Sequence, residues 1–217
     1  YFILTTQRHA RFLRGAFASY VSPDLVSLLV KNPETLNLKG ENRNISVLFS
    51  DIRGFTTLSE SLTPETLVAL LNAYLGPMTD IVMAQRGTLD KYIGDAVMAL
   101  YNAPIEVSDH PQRATRSALQ MIVRLSELNT QFQQEFKVSL HIGIGIHSGP
   151  AIVGNMGSAT RFNYTAMGDT VNLASRIEGR TKAYGVQLII TEETQQRLGH
   201  GFFCRRLDKI RVKGKHI

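Results

Sequence analysis

The sequence predicts an α+β fold with a mainly antiparallel sheet, and three observations carry that prediction. Runs of strand length, such as Ile45–Phe49 and Ala96–Tyr101, alternate with helical stretches near Thr63–Ala84 and Pro111–Glu135. Their order from residue 45 is β-α-β-β-α-β, the ferredoxin-like unit. The pair Gly94-Asp95 between two of the runs marks a tight hairpin. Helices are expected on one face of the sheet, with further α and β elements after the fourth main strand.

Each element has a local reason. Residues 1–20 read as an amphipathic helix, because Phe2, Phe12, Leu13 and Phe17 are interleaved with arginines. A short helix is expected over Pro23–Val30, with Ser22 as its N-cap. The polar stretch Lys31–Asn44, with Pro33 and Gly40, reads as a linker. The chain thus divides into an N-terminal helical connector over 1–43 and a main domain over 44–217. Ile45-Ser-Val-Leu-Phe49 reads as a buried strand that ends at Ser50-Asp51. Thr63-Pro64-Glu65 opens a helix with proline in its first turn, and Gly87 closes it. Thr88–Ile93 and Ala96–Tyr101 are the strands of the hairpin. Val138–His147 reads as strand, Ser148-Gly149-Pro150 as a turn and Ala151–Asn155 as a short strand. Gly168–Tyr184 reads as helix, Val186–Ile190 as strand, Thr191–Leu198 as a short helix and Phe202–Val212 as a final strand region.

Composition excludes several classes. The 217 residues are 43% apolar and 19% charged, which suits a domain with a real core and neither a disordered nor a fibrous chain. No uninterrupted apolar run approaches the roughly 20 residues that span a bilayer. Cys204 is the sole cysteine, so an internal disulfide is impossible and a cysteine-based zinc site is disfavoured. A reducing compartment fits. The chain opens at Tyr1 without a complete signal peptide, as expected of a piece of something longer.

The net charge of +6 favours anionic partners. Its distribution is uneven. Tyr1–Pro23 holds Arg8, Arg11 and Arg14 and no acid, while Arg205–Ile217 holds six Lys and Arg against Asp208. Arginines in such a leader suit the cytoplasmic side of a membrane span. No basic stripe with interleaved aromatics is present, which argues against nucleic acid.

Two aspartates stand out. Asp51 closes the first strand and Asp95 sits in the hairpin turn. In a β-α-β-β-α-β sheet the first and third strands are antiparallel neighbours, so these distant residues meet at one strand end. Taken singly, each is an ordinary turn aspartate. As a pair they form a divalent-cation site, since magnesium takes one or two carboxylates plus substrate phosphates. The loop Ile52-Arg-Gly-Phe-Thr-Thr57 follows directly. Gly54 lets backbone approach a ligand, and free amides around Phe55 and Thr56 would suit phosphate oxygens. On the helix from Gly168, Asn172 and Arg176 are four apart and share a face. Arginine offers a fixed fork for a phosphoryl group, and asparagine can orient a hydroxyl; a solvated helix face is the plain alternative. Lys213 and Lys215 flank a glycine near the C-terminus and could reach a triphosphate or simply face solvent. His141 and His147 read as structural, and Met78, Met83 and Met98 as core filling.

Four segments in order now resemble the class III nucleotidyl cyclases: Phe49-Ser-Asp51-Ile-Arg-Gly-Phe-Thr56, Lys91-Tyr-Ile-Gly-Asp95-Ala, Gly168-Asp-Thr-Val-Asn172-Leu-Ala-Ser-Arg176 and Val212-Lys-Gly-Lys215. The leader is similar to the connector of membrane-anchored bacterial receptor cyclases. The resemblance implies a head-to-tail homodimer with two composite active sites. It implies two divalent cations, Mg2+ or Mn2+, on Asp51, Asp95 and the Ile52 carbonyl. It implies Lys91 and Thr165 as readers of the purine, Asn172 and Arg176 as ribose-orienting and transition-state groups, and Lys213, or else Lys215, as the triphosphate lysine. Thr165 departs from the aspartate common in adenylate cyclases, and a Lys-Thr pair resembles the bicarbonate-responsive subgroup. Lys91 argues for adenine, because an ammonium can donate to adenine N1 whereas guanine N1 carries a proton. The implied activity is ATP to cyclic AMP and pyrophosphate, in a catalytic domain on the cytoplasmic face of the membrane under an upstream sensor. The rivals are a guanylate or relaxed-specificity cyclase, and a silent cyclase-like dimerisation module.

Overall fold

Six consecutive residues of the first strand, Ile45 to Ser50, are buried, so this strand lies between two layers. The computed structural model describes residues 40–158 and 161–209. The expected leader helices and Lys213 and Lys215 lie outside the described residues. The first strand, β1 (Glu41–Ile52), pairs antiparallel with β3 (Ala96–Tyr101) on one side and with β4 (Ile142–Ser158) on the other. β2 (Thr88–Ile93) pairs with β3, and β5 (Arg161–Met167) with β4, both antiparallel. The path is β2-β3-β1-β4-β5, and β6 (Leu188–Ile190) adds to β4 in parallel. The first four strands thus have the expected ferredoxin-like order.

Alternate residues of the strands feed two cores, as a period of two requires. Leu48, Val97, Ala99, Ile142 and Ile144 face one side. There they meet α2 (Pro64–Ala84) through Leu70, Tyr74, Met78 and Val82, and α3 (His110–Glu135) through Ala114, Met121 and Leu125. Each large side chain so buried contributes roughly 1.5–3 kcal/mol. Thr63 caps α2 by accepting from the Thr66 amide at 3.3 Å, with Pro64 in the first turn. By length and composition α2 could cross a membrane, which the search for uninterrupted apolar runs did not anticipate; in the fold its buried face is part of the core.

The opposite face carries Ile45, Val47, Phe49, Met98 and Leu100, packed with Val153, Ala166 and Ala174. Ala174 belongs to α4 (Asp169–Arg180), so the two helices of the ferredoxin-like unit share one face and this additional helix covers the other. The glycines of β4 explain how it fits. A Cβ on Gly145 would lie 2.3 Å from the Glu178 nitrogen and 2.6 Å from the Ala174 oxygen, so only glycine lets α4 press backbone to backbone on the strand.

Other boundaries also moved. β4 is one strand, with no turn at Ser148-Gly149-Pro150, because that segment pairs with Ser46, Ile45 and Asn44 of β1. Pro150 is tolerated there since β5 pairing starts only at Ile152. β1 opens at Glu41, inside the expected linker. β5 was not foreseen; Arg161, Asn163 and Thr165 give it little apolar pattern, and pairing with β4 makes it a strand. The segment after Gly54, expected as loop, forms the short α1 (Phe55–Ser61). α4 stops at Arg180 and turns through Thr181–Gly185, the last strand of this region is only Leu188–Ile190, and α5 is Glu192–Gln195. Phe202–Lys209 has neither helix nor strand, against the expected strand.

Candidate active site

The register of β1 puts Ser50 opposite Val97 and Asp51 opposite Gly143. Asp95, in the β2–β3 turn, is thereby delivered to the end of β1. Its Oδ2 accepts the Ile52 amide at 3.1 Å, and its carboxyl is close enough to Asp51 for the two to interact electrostatically. Both aspartates are half-buried. Burial first, and then the adjacent Asp51, raises Asp95 well above the usual carboxylate range. Such a pair cannot hold two negative charges cheaply without a cation.

A third carboxylate stands beside them. Glu178 of α4 lies over Gly143, with Oε1 3.0 Å from where a Cβ would be. Burial and then Asp51 push Glu178 up to about 7, while Arg53 pulls it down. Beneath, the Tyr74 hydroxyl lies 3.5 Å from Ser50 Oγ and is raised by burial and by Asp95 and Asp51. Among the described residues no group of three His, Cys, Asp or Glu side chains is arranged to hold a metal. Two carboxylates with a backbone carbonyl beside them fit magnesium that completes its shell with substrate phosphates and water.

The segment after Asp51 turns sharply. Gly54 has φ 70°, the left-handed region that favours glycine, and it precedes α1. No side chain caps α1. The first intrahelical bond runs from the Leu58 amide to the Gly54 carbonyl at 3.1 Å. The amides of Phe55 and Thr56 therefore precede the ladder and suit anionic oxygens. Phe55 leans on the core, and Thr56 is exposed. Arg53 ties the turn down, its backbone donating to His141 O at 2.8 Å and its guanidinium to Val186 O.

A second polar constellation lies at the far edge. Lys91 on β2 and Thr165 on β5 belong to strands at opposite ends of the path. Yet Thr165 Oγ1 donates to Asp90 Oδ2 at 3.0 Å, and Lys91 Nζ lies 3.4 Å from the same oxygen. The two edge strands therefore meet at Asp90. The Lys91 side chain is 41% exposed, while that of Asp90 is fully buried. The remaining named residues are on α4. Asn172 is exposed and Arg176 half-buried, on turns whose Leu173, Ala174 and Ile177 face inward.

The structure thus unites Asp51, Ile52 and Asp95, sets Gly54, Phe55 and Thr56 directly after them, and joins Lys91 to Thr165. Asp90 and Glu178 were not singled out from sequence. The signal for Glu178 was indirect: glycines at 143 and 145 mark a strand that something approaches closely. For Asp90 the only hint was a charged residue beside Lys91 in a strand.

Comparison with known proteins identifies the family. Residues 38–217 match the family model described as the adenylate and guanylate cyclase catalytic domain. Adenylate cyclase 1 of Rhizobium meliloti is 35% identical over 199 residues, covering 92% of this chain and 30% of that protein. The adenylate cyclase of Anabaena cylindrica is 35% identical over 218 residues, covering 97% and 41%. The chain therefore spans less than half the length of these relatives. The solved structure of the guanylyl cyclase Cya2 is 36% identical with a TM-score of 0.76, covering 81% of this chain and 88% of that one. That of the adenylyl cyclase CyaB from P. aeruginosa is also 36% identical with a TM-score of 0.76, covering 82% and 91%. On the match of the family model, which runs through both carboxylate edges and the Asn172–Arg176 helix, the chain belongs to the class III adenylate and guanylate cyclase catalytic domains.

Proposed function

We propose that this domain is an adenylate cyclase that converts ATP to 3′,5′-cyclic AMP and pyrophosphate in active sites shared across a homodimer. The observation that carries the reading is the meeting of Asp51 and Asp95 at one strand end, next to the unladdered amides of α1. In the reaction the ribose 3′-oxygen forms a bond to the α-phosphorus as the bond from that phosphorus to the bridging oxygen of pyrophosphate breaks. The 3′-hydroxyl proton leaves to water or a carboxylate.

Asp51, Asp95 and the Ile52 carbonyl would hold two divalent cations, Mg2+ or Mn2+. When bound, these supply neutralising charge for the phosphates and favour the ionised 3′-oxygen. The amides after Gly54 receive phosphate oxygens. Asn172 orients the ribose, and Arg176 meets charge that develops on the α-phosphate. Lys213 is assigned to the triphosphate. Lys91 donates to adenine N1, and Thr165 accepts from the 6-amino group. The chain is equally like an adenylyl and a guanylyl cyclase structure, and in this reading base choice rests on these two side chains.

A second copy is the proposed partner. Ile152 and Met167 on the β4–β5 hairpin and Ile93 at the β2 end are 44%, 59% and 52% exposed, apolar side chains that a partner could cover. The basic leader, with Arg8, Arg11 and Arg14, supports a domain held at the cytoplasmic face of a membrane below a sensor.

The test is a cyclic-nucleotide assay of this chain with ATP or GTP, magnesium or manganese, over a dilution series. Cyclic AMP formed with ATP preferred is expected, with activity per mole falling on dilution. No product from either nucleotide at high protein concentration would identify a silent module instead, and equal use of GTP would identify a relaxed-specificity cyclase.

A further inference from the structure

We propose that Asp90 is a specificity-determining positioning residue, whose carboxylate takes up the Thr165 proton and anchors Lys91 so that Thr165 meets the purine only as a hydrogen-bond acceptor. The inference rests on the adenine-reading role proposed for Lys91 and Thr165, and deepens it.

The first ground is backbone geometry. Successive residues of a regular strand point to opposite faces, so Asp90 and Lys91 should diverge. They do not, because the β2–β3 register slips between Leu89 and Lys91: Leu89 faces Ala99 and Lys91 faces Met98. Asp90 is the extra residue of a β-bulge, a device that re-aims side chains. It leaves Lys91 Nζ 3.4 Å from Asp90 Oδ2 and lets that oxygen accept from Thr165 at 3.0 Å across the sheet.

The second ground is cost. The Asp90 side chain has no exposed surface, and its Oδ1 is buried without a hydrogen-bond partner among the described residues. A buried carboxylate with one oxygen unused is a poor stabiliser, and an apolar residue of similar size would serve stability better. Burial raises its pKa, and Thr165 and Lys91 offset only part of that rise.

The third ground is the chemistry of a hydroxyl. Threonine has one proton and two lone pairs, whereas an ionised carboxylate can only accept. With its proton committed to Asp90, Thr165 offers the pocket lone pairs alone. Adenine presents a 6-amino donor there and is welcomed. Guanine presents a 6-oxo acceptor and is opposed. Without Asp90 the hydroxyl would rotate and serve either base.

The measurement is the ratio of kcat/KM for ATP to that for GTP. Asp90→Asn supplies an amide that can donate to Thr165 and free its proton. Asp90→Leu removes the charge with an apolar side chain and guards against misfolding of the first variant, each being checked by thermal melting. Both should lower the ratio about tenfold. Thr165→Val should lower it similarly, and adding Asp90→Asn to Thr165→Val should change it no further. Asp90→Asn with Thr165→Asp returns a fixed acceptor to the reading position, and should restore the ratio to within about threefold of wild type. A ratio that stays within about twofold of wild type in a folded Asp90 variant, with both nucleotides slowed alike, overturns the proposal in favour of a structural role. Lys91→Glu and Thr165→Val separate the two layers. If neither moves the ratio, the adenine-reading role itself is wrong; if they do and the Asp90 variants do not, only the part given to Asp90 fails.

Discussion

The two halves of β1 bury polar groups in opposite ways. In its middle, the Ser46 hydroxyl lies 2.8 Å from His110 Nδ1 and 2.6 Å from Ser148 Oγ, which receives the Thr194 hydroxyl at 3.1 Å. Thr194 lies 3.2 Å from Thr191, itself 2.8 Å from His147 Nδ1. Every hydroxyl along this chain has a hydrogen-bond partner. At the C-terminal end of the same strand, Asp51 meets Asp95 and then Glu178, acid against acid. One region is chemically finished and the other is not. Buried polar groups that satisfy one another serve the fold; those that repel one another wait for something from outside.

The largest expected effect tests that contrast directly. Asp51→Ala or Asp95→Ala should lower turnover by at least about a hundredfold, since the seat of the cations is lost. In metal-free buffer Asp51→Ala should melt no lower than wild type, because a like-charge contact has been removed, while Asp95→Ala offsets that gain by losing the acceptor of the Ile52 amide. Cyclic-nucleotide assay and thermal denaturation read the two quantities. More than a tenth of wild-type turnover in either purified variant, or a large loss of stability, would erase the distinction between the two halves of β1.

The finished half should instead respond in stability, through pH. Burial first, and then Arg197, lowers His110 to about 4, with Asp109 opposing. Its folded pKa lies below the ordinary 6.5, so the unfolded chain binds the proton more readily. Its contribution is therefore fully present above pH 6.5 and is lost as pH falls toward 4, by about 3 kcal/mol in all. Urea denaturation of wild type and His110→Gln at several pH values isolates it. The wild-type advantage should shrink steadily on acidification, and a constant advantage would show that His110 does not titrate in this way.

The same contrast explains what could be seen in the sequence. Asp51 and Asp95 were legible because strand order alone makes the ends of β1 and β3 neighbours. The apolar runs of β1 and β3 and the periodic α2 and α3 were legible for the same reason: their pattern is local. The partners Asp90 and Glu178 were not. Asp90 matters through a one-residue bulge and through the contact that joins β2 to β5, and neither leaves a mark in a linear pattern. Thr165 was identified only through family resemblance, on a strand that its own residues do not announce. The Gly143 and Gly145 signal was visible, but its meaning needed α4 on the opposite face.

A smaller effect is expected at the base-reading edge. Lys91→Glu with Thr165→Cys should weaken ATP use and shift the ATP-to-GTP preference by about 10- to 100-fold, since one mismatched donor or acceptor in a closed site costs about 1–3 kcal/mol. This edge stands between the two halves of β1 in character: Asp90 is met by Lys91 and Thr165 through one oxygen only, while Lys91 remains partly exposed for a ligand. An unchanged preference in the double variant would place it among the finished, purely structural networks.

The smallest change concerns what completes the unfinished end. If Asp51 and Asp95 of one copy work with Asn172 and Arg176 of another, then neither chain alone holds a whole site. Asp51→Ala and Arg176→Ala homodimers each carry a lesion in both of their sites and should be inactive. In a mixed dimer both lesions fall in the same site, and the other is intact. With equal amounts and random exchange, half the dimers are mixed and each has one good site, so activity should return to about a quarter of wild type. That is only about fourfold below the parent, from two proteins that are inactive apart. Dilution below the dimer dissociation constant should remove the recovered activity, because assembly is governed by mass action. The exchange itself is followed by mass or by fluorescence transfer between labelled subunits. A mixture that exchanges and stays inactive would mean that the repelling carboxylates are completed within one chain, and that the exposed Asn172 belongs to a solvated helix face.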